Sequence, residues 1–486
     1  METQQQAAAF LIPENNRAPS QIRHVHLMGI CGTGMASLAG MLKDRGFMVT
    51  GSDQNVYPPM STYLESLSIP ILQGYLASNL HAPPDLVIVG NVITKFNPEA
   101  VELARRRIPY LSMPQALQAF ALKGKKSIVI SGTHGKTTTT ALVSWLLEWA
   151  GLDPGFLVGG IPGNFETGFR QGKGPYFVIE GDEYDTAFFD KGPKFLHYSP
   201  WVVLLTSIEF DHADIYRDLE HVRDSFRKLL HLLPPQGRLI ANKDDPLVVA
   251  ESGEAPCPVI FYGLKDGADW SARNISVQHR ETRLEALKNH NEVLAIATPL
   301  YGKHNVSNLL SAVALADFLD IEPSLTLKAL ASFRGVKRRQ EIKGEKKGVL
   351  VLDDFAHHPT AVRETIRAVR EKYKGRRLIS AFEPRSNSSR RNIFQHDYAS
   401  SFDQADLILV PEPPMMEKIP RDQRFSSGQL VEDLQKRGLD ARYFPETSLL
   451  LEEILSISRK GDVVLIMSNG AFDNLAVRLL NRLDTR

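Results

Sequence analysis

The sequence predicts an α/β protein of three domains, each built on a mainly parallel sheet. Its length of 486 residues, set against about 150 per domain, leaves room for roughly three cores. Short β-branched or apolar runs alternate with helical patterns through most of the chain, as repeated βαβ units require. Two glycine-rich turns, near residues 29 and 132, each follow an apolar run and open a helical pattern. Hydrophobic residues make up 43% and charged residues 23%, which excludes a disordered, collagenous or coiled-coil chain. With 57 Lys and Arg against 56 Asp and Glu, the net charge of +1 gives no global field for nucleic acid or anionic lipid, so neither is an expected partner. Cys31 and Cys257 can build neither a disulfide framework nor a cysteine-rich zinc site, which fits a reducing compartment. The start METQQQAAAFLIPENNRAPS lacks a basic then apolar leader pattern, and no stretch approaches 18 consecutive apolar residues. A cytoplasmic protein with a disordered tail over residues 1–20 is expected.

The first block, 21–124, opens with the run Val25 to Met28, turns at Gly29, and continues as a helix from Met35 to Arg45. A strand from Phe47 to Gly51 and another ending at Gly90 follow. The second block, 125–334, opens with the strand Ser127 to Ser131, runs into a Gly-Lys-Thr turn and helix, and contains the strands Tyr176 to Glu180 and Trp201 to Leu205. Between about 255 and 298 the runs CPVIFYG and EVLAIA suggest an antiparallel addition at a sheet edge, after which helices resume at His304 and Leu325. The basic stretch Gly335 to Gly348 reads as an exposed hinge. The third block, 335–486, then spaces the strands VLVLDD, RLISAF, LILV and DVVLIM evenly between helical segments.

The segment IVISGTHGKTTTT carries the strongest chemical signal. Gly132, Thr133, His134 and Gly135 form a turn whose N–H groups can face phosphates at a helix N-terminus. Lys136 can reach the terminal phosphates, Thr137 can offer a hydroxyl to a metal, and Thr138 completes the first turn. The usual spacing would place glycine at position 130, where Ile130 stands, and the competing reading is a surface turn whose solvated lysine adds little stability. Glu180, Asp182, Glu183 and Asp185 follow one strand, and IEFDHAD (Ile208 to Asp214) follows the next. Both lie at carboxyl ends, where open parallel sheets bind ligands. Carboxylate, threonine oxygen and neutral imidazole suit magnesium or manganese, while a solvated acidic loop is the alternative. In YGKHNVSNLLSA, after His304, Asn305 and Asn308 share a helix face and have the donor and acceptor an adenine edge needs; helix capping by Asn305 competes. The turn GICGTGM (Gly29, Gly32, Thr33, Gly34, Met35) departs from G-x-G-x-x-G, yet it still presents a helix N-terminus to a diphosphate. An ATP-hydrolysing switch is the rival of another class, and a dehydrogenase using the first turn would require NAD and leave Lys136 without a task.

Taken together, GTHGKTTT, EGDEYD, EFDHAD, GKHNVSNLLSA, GVKRRQE and DDFAHHPT resemble the Mur ligase family, the ATP-dependent amide ligases of peptidoglycan synthesis, in family order from Arg23 to the end. HLMGICGTGM and TGSDQNVYPPMSTYLE resemble the branch that binds UDP-N-acetylmuramate. NVYPPMST, DEYDTAFFDK, EFDHADIY and EPRSN resemble its peptide-accepting member rather than its L-alanine-adding one. The resemblance implies a Rossmann-like UDP-sugar domain, a central P-loop-type ATPase domain with an antiparallel edge and a Rossmann-like C-terminal domain. It implies that ATP activates the sugar carboxylate for attack by the amine of L-alanyl-γ-D-glutamyl-meso-diaminopimelate, in a monomer or weak homodimer. Carried over by motif, Lys136 is the phosphate clamp. Thr137, Glu180 and His212 hold Mg2+, and His304, Asn305 and Asn308 meet the nucleotide. Arg339 and Asp354 close on the nucleotide from the third domain. Gly29, Gly32, Thr33, Gly34, Met35 and Asp53 hold the UDP sugar. His357 and His358 are candidates for the transferred phosphate or the amine, and Glu383, Arg385 and Asn387 for the peptide. One departure stands out. Arg227 and its neighbours offer no lysine where several members carry a carbamylated one, so a bridged second metal is not implied.

Overall fold

The computed structural model describes residues 11–56, 60–278 and 281–484, so part of the NVYPPMST motif lies outside them. The described residues form two compact units, one within 11–208, 222–262 and 314–326 and the other within 209–221, 263–313 and 327–484.

The first unit holds two sheets. One orders its strands β3-β2-β1-β4-β5: β1 (His24–Met28), β2 (Met48–Asp53), β3 (Ile71–Gln73), β4 (Leu86–Val89) and β5 (Tyr110–Ser112), all parallel. Each residue of β4 is buried, as a strand covered on both faces must be. Of the tail expected to be disordered over 1–20, residues 1–10 lie outside the described ones, and residues 11–16 are docked here instead. Leu11 packs on the core beside Tyr110, the Ile12 carbonyl accepts from the Tyr110 hydroxyl at 3.3 Å, and Asn15 donates to the Arg107 carbonyl at 2.9 Å. The apolar LIP segment has enough surface to anchor itself.

The other sheet comprises β6 (Lys126–Ser131), β7 (Gly155–Leu157), β8 (Phe169–Arg170), β9 (Tyr176–Gly181), β12 (Pro200–Leu205), β13 (Arg238–Asn242) and β14 (Val259–Tyr262), in the order β14-β13-β12-β6-β9-β7-β8. A hairpin of β10 (Asp185–Ala187) and β11 (Asp190–Pro193) stands apart. The run CPVIFYG, expected to be antiparallel, is β14, and it pairs parallel to β13. The helix Pro246–Ser252 between them carries the chain back to the starting end of the sheet.

The second unit contains an antiparallel trio, β15 (Trp270–Gln278), β16 (Glu281–Lys288) and β17 (Asn291–Thr298). It also contains a six-stranded sheet ordered β18-β19-β23-β20-β21-β22, with β18 (Glu341–Lys346), β19 (Val349–Asp354), β20 (Leu378–Phe382), β21 (Leu407–Pro411), β22 (Ala441–Phe444) and β23 (Val463–Met467). Its alternate residues feed different cores: Leu350, Leu352, Leu465 and Met467 face one layer, Val351, Val464 and Ile466 the other. The expected hinge over 335–348 is half strand. Lys347 and Gly348 both take positive φ, the pair that a tight hairpin turn requires, and fold β18 antiparallel onto β19. Among the described residues no helix is long and apolar enough to cross a membrane.

Candidate active site

In the first unit, β6 ends at Ser131 and the chain turns through Gly132, whose φ is +129°; a Cβ there would lie 2.2 Å from Thr206 Oγ1. Only glycine fits this turn. The Thr133 and His134 N–H groups donate to the Ser207 carbonyl and hydroxyl, both at 3.0 Å, and Gly135, also at positive φ, starts the helix Lys136–Trp149 with Thr137 and Thr138 buried in its first turn. Lys136 Nζ donates to the Gly132 carbonyl at 2.7 Å and to Glu183 Oε2 at 2.8 Å; Glu183 is buried and the lysine side chain keeps 13% of its surface exposed. The solvated lysine of the competing reading is therefore corrected to a largely covered, paired one. Burial pushes its ammonium pKa down, but Glu183 and Asp182 push harder, and the net direction is up. The acidic loop is not a solvated one either. Glu183 meets Lys136, Asp182 meets Lys194 at 3.1 Å, and Asp185 meets the exposed Lys191. Thr137 Oγ1 donates to Glu180 Oε2 at 3.0 Å, so two of the three expected metal ligands stand together, with oxygen donors that suit a hard divalent cation.

At the other glycine turn, Gly29 takes φ +82° and donates to the Ser52 carbonyl, and a Cβ on Gly34 would lie 2.8 Å from Met113 Cε. Gly32 precedes the helix Thr33–Asp44 and Thr33 begins it. Met35 is buried in the core, so it can offer a ligand only its backbone. Asp53 is also buried: one oxygen accepts from Cys31 N and the other from Asn55 N, each at 2.9 Å, and the side chain braces the turn.

The second unit assembles the adenine-side candidates. Gly302 precedes the helix Lys303–Phe318, and Asn305 stands inside the helix rather than capping it. Its Nδ2 donates to the Tyr301 carbonyl at 2.9 Å and to Gln340 Oε1 at 3.3 Å, while its Oδ1 accepts from Asn308. Gln340 Nε2 lies 3.5 Å from His304 Nε2, and the Gln340 N–H donates to Asp354 Oδ2 at 2.7 Å. Gln340, which the sequence reading passed over, thus joins His304, Asn305 and Asp354; its position in the basic stretch gave no signal. Burial pushes the Asp354 carboxyl pKa up against the pull of Arg339 and two N–H donors, and the Arg339 guanidinium stacks 4.7 Å above the Phe355 ring.

His212 takes positive φ on the 209–221 segment, and its N–H donates to Asp211 Oδ1 at 2.6 Å. The two adjacent histidines separate in role. His358 caps the helix Pro359–Lys372 by accepting from Thr360 N, reaches the Phe210 carbonyl at 3.2 Å and packs on Phe394. His357 donates from Nδ1 to the Phe355 carbonyl at 3.1 Å, which leaves Nε2 as the acceptor of the neutral ring. Burial pushes its pKa down against the opposing pull of Asp211, favouring that neutral form.

Glu383 follows β20, is buried, and accepts from Ser468 Oγ at 2.5 Å. Arg385 contacts Glu383 Oε1 through Nη1 at 3.3 Å, and this one contact leaves most of the guanidinium fork available. Asn387 is engaged by Asp214 at 2.8 Å and by Arg390 at 2.7 Å. Arg227 is tied to Glu251 at 2.6 Å.

Three family models match the chain: the Mur ligase family catalytic domain over 24–125, the Mur ligase middle domain over 130–316, and the Mur ligase glutamate ligase domain over 338–470. The chain is 40% identical over 460 residues to the UDP-N-acetylmuramate–L-alanyl-γ-D-glutamyl-meso-2,6-diaminoheptandioate ligase of Escherichia coli, covering 94% of this chain and 98% of that one. It is 32% identical to the UDP-N-acetylmuramate–L-alanine ligase of Syntrophus aciditrophicus, covering 95% and 94%. Among solved structures, a murein peptide ligase from Psychrobacter arcticus matches with a TM-score of 0.73 at 34% identity, covering 96% of this chain and 99% of that one.

Proposed function

Since the chain belongs to the Mur ligase family, whose members are ATP-dependent amide ligases, we propose that it joins UDP-N-acetylmuramate to L-alanyl-γ-D-glutamyl-meso-diaminopimelate, releasing ADP and phosphate. The observation that carries this reading is the higher identity to the peptide-adding relative than to the L-alanine-adding one, over nearly equal lengths. The organisation proposed is a UDP-sugar domain over 21–124, an ATP domain over 125–334 and a peptide domain over 335–486, in a cytoplasmic monomer or weak homodimer.

A carboxylate and an amine do not condense in water, because the amine is protonated and hydroxide leaves poorly. The sugar's lactyl carboxylate therefore attacks the γ-phosphorus of ATP, and the peptide amine displaces phosphate from the resulting acyl phosphate. Lys136 compensates charge where the anions meet; with the Thr133 and His134 N–H groups given to Ser207, it is the N-terminus of the helix Lys136–Trp149 that would receive the phosphates. His357, held neutral with Nε2 as acceptor, is the better of the two histidines for taking the amine proton, since His358 is committed to its cap. Thr137 and Glu180, with His212, would hold magnesium, whose charge screens the phosphate oxygens when bound.

Product mass analysis with UDP-N-acetylmuramate, ATP and either L-alanine or the tripeptide tests the reading. The tripeptide adduct is expected, and an L-alanine adduct alone would replace the proposal. Glu180→Ala and His212→Ala should each raise the magnesium concentration at half-maximal rate; titration curves that overlay the parent's would remove both residues from the ligand set.

A further inference from the structure

The first sheet carries a buried polar chain that the reaction as described leaves without a task. β1 and β2 run parallel with His26 opposite Thr50, so His24 and His26 on one strand share a face with Thr50 and Ser52 on the other. The helix Pro98–Arg106 sets the fully buried Glu99 against that face. One Glu99 oxygen lies 2.7 Å from His26 Nε2, and the other accepts from Ser52 Oγ at 2.7 Å and from Asn79 Nδ2 at 3.3 Å. Thr50 Oγ1 lies 2.8 Å from both His26 Nδ1 and His24 Nε2. From the half-buried His24 the chain thus reaches Glu99 and then the glycine turn, because the Ser52 carbonyl accepts from Gly29 N at 2.8 Å and Ile30 N at 3.1 Å. A buried ion pair is weak evidence for stability, since apolar residues of similar volume usually do as well. Its proton count points to a task. A hydroxyl has one proton, so Thr50 donates to one imidazole and accepts from the other. When it donates to His24, both His26 nitrogens carry protons and an imidazolium faces the carboxylate. When it donates to His26, that ring is neutral and still gives its Nε2 proton to Glu99, while His24 gives its own to Thr50. Every bond survives in both states, and only the charge differs: zero with the imidazolium, one negative charge without it.

We propose that His26 is a positioning counter-charge that keeps Glu99 from repelling the diphosphate of the sugar nucleotide, so that the Gly29 turn binds most tightly when the chain holds its extra proton. The proposal rests on the reading of that turn as the UDP-sugar site and deepens it. A charge buried behind the turn acts through protein rather than water, and salt screens it little. The other ionisable groups facing the chain are accounted for. Asp53 has its oxygens on Cys31 N and Asn55 N, and Asp85, held by the His24 and Arg23 N–H groups, has its pKa pushed down by them. Burial pushes the Cys31 thiol up to about 11 and the Tyr75 phenol up to about 12, so both are neutral beside the turn. Burial, and then the charge on His26, push the His24 pKa down against the pull of Asp85. That leaves the imidazole of His26 to carry the change, and imidazole is the side chain that changes charge around neutral pH.

Titration calorimetry of the full-length protein with UDP-N-acetylmuramate, with and without a non-hydrolysable ATP analogue, tests this, since a doubly esterified diphosphate does not itself titrate near neutrality. The parent's Kd should weaken by about fivefold or more between about pH 6 and about pH 8.5. By linkage, binding in the middle of that range should take up a fraction of a proton, which two buffers of different ionisation enthalpy report. Glu99→Gln removes the negative charge and should level the profile at the parent's acid-side Kd, so that at the alkaline end the variant binds more tightly than the parent. His26→Gln keeps a donor to Glu99 but loses the titrating ring, and should level the profile at the weaker alkaline-side Kd. Structural damage alone would weaken binding at every pH and give neither the opposite signs of the two variants nor the proton uptake, which needs no variant. A parent that binds with a flat profile and no proton exchange overturns the inference and leaves the sugar-site reading standing. So does a Glu99→Gln variant that keeps the parent's slope. A parent that binds the sugar nucleotide at no pH, with or without the analogue, overturns both.

Discussion

Replacing Lys136 by alanine is expected to abolish product formation, a loss of at least about a hundred- to a thousandfold, because removing one preorganised charge from a phosphoryl-transfer site costs at least that much. The same substitution should also cost stability. Lys136 and Glu183 are a largely buried pair at 2.8 Å, and breaking such a pair from the lysine side costs up to about 3–5 kcal/mol by stranding the buried Glu183 charge. The sign of the lysine's shift sets the pH window: its folded pKa is raised, so the pair's contribution is complete at neutral pH and is lost only as pH climbs through the alkaline range above the ordinary lysine value. The two effects separate in the double variant Lys136→Ala/Glu183→Gln. Its thermal midpoint should recover part of the loss while its turnover stays absent. Turnover near the parent's in the single variant would sink the nucleotide assignment, and turnover regained in the double variant would reduce Lys136 to a structural role.

Arg385→Ala is expected to raise KM for the tripeptide about tenfold to a hundredfold, the equivalent of a charge-assisted contact of about 1.5–3 kcal/mol. Arg385 stands just beyond β20 at the carboxyl-end rim and holds Glu383 by one contact only, so its planar fork can take a carboxylate bidentately. Lysine at this position keeps the charge but not the fork, and Arg385→Lys should recover only part of the loss. Steady-state kinetics with each substrate varied in turn would check this, since KM for ATP and for the UDP sugar should remain at the parent values. If tripeptide kinetics are unchanged, and peptides lacking diaminopimelate react equally well, the carboxylate contact lies elsewhere.

Much of this molecule could be read along the chain because its signals are local. Runs such as VLVLDD and DVVLIM announce strands covered on both faces, and the structure sends their alternate residues into two different cores. Gly132 was legible for the same reason: a glycine between an apolar run and a lysine is a turn waiting for an anion, and its positive φ agrees. Short-range signals failed where competing local patterns looked alike. The run of β14 carries no mark of its parallel partner, and the basic 335–348 stretch hid an edge strand whose only cue was Lys347-Gly348.

What the sequence by itself determined, then, was the α/β class, the βαβ order and the residues able to handle phosphate, because periodicity and turn chemistry depend on neighbours a few positions apart. Only the tertiary structure decided which charges meet. It chose Glu183, not Glu180, to hold Lys136, and it gave His358 to a helix cap while leaving His357 an open nitrogen. It also set Glu383 against Ser468, 85 residues away, because β20 lies beside β23 in a sheet whose spatial order is not its chain order. Strand order of that kind arises from crossover packing across the whole unit, and burial then makes each resulting contact strong by removing the water that would otherwise satisfy the same groups.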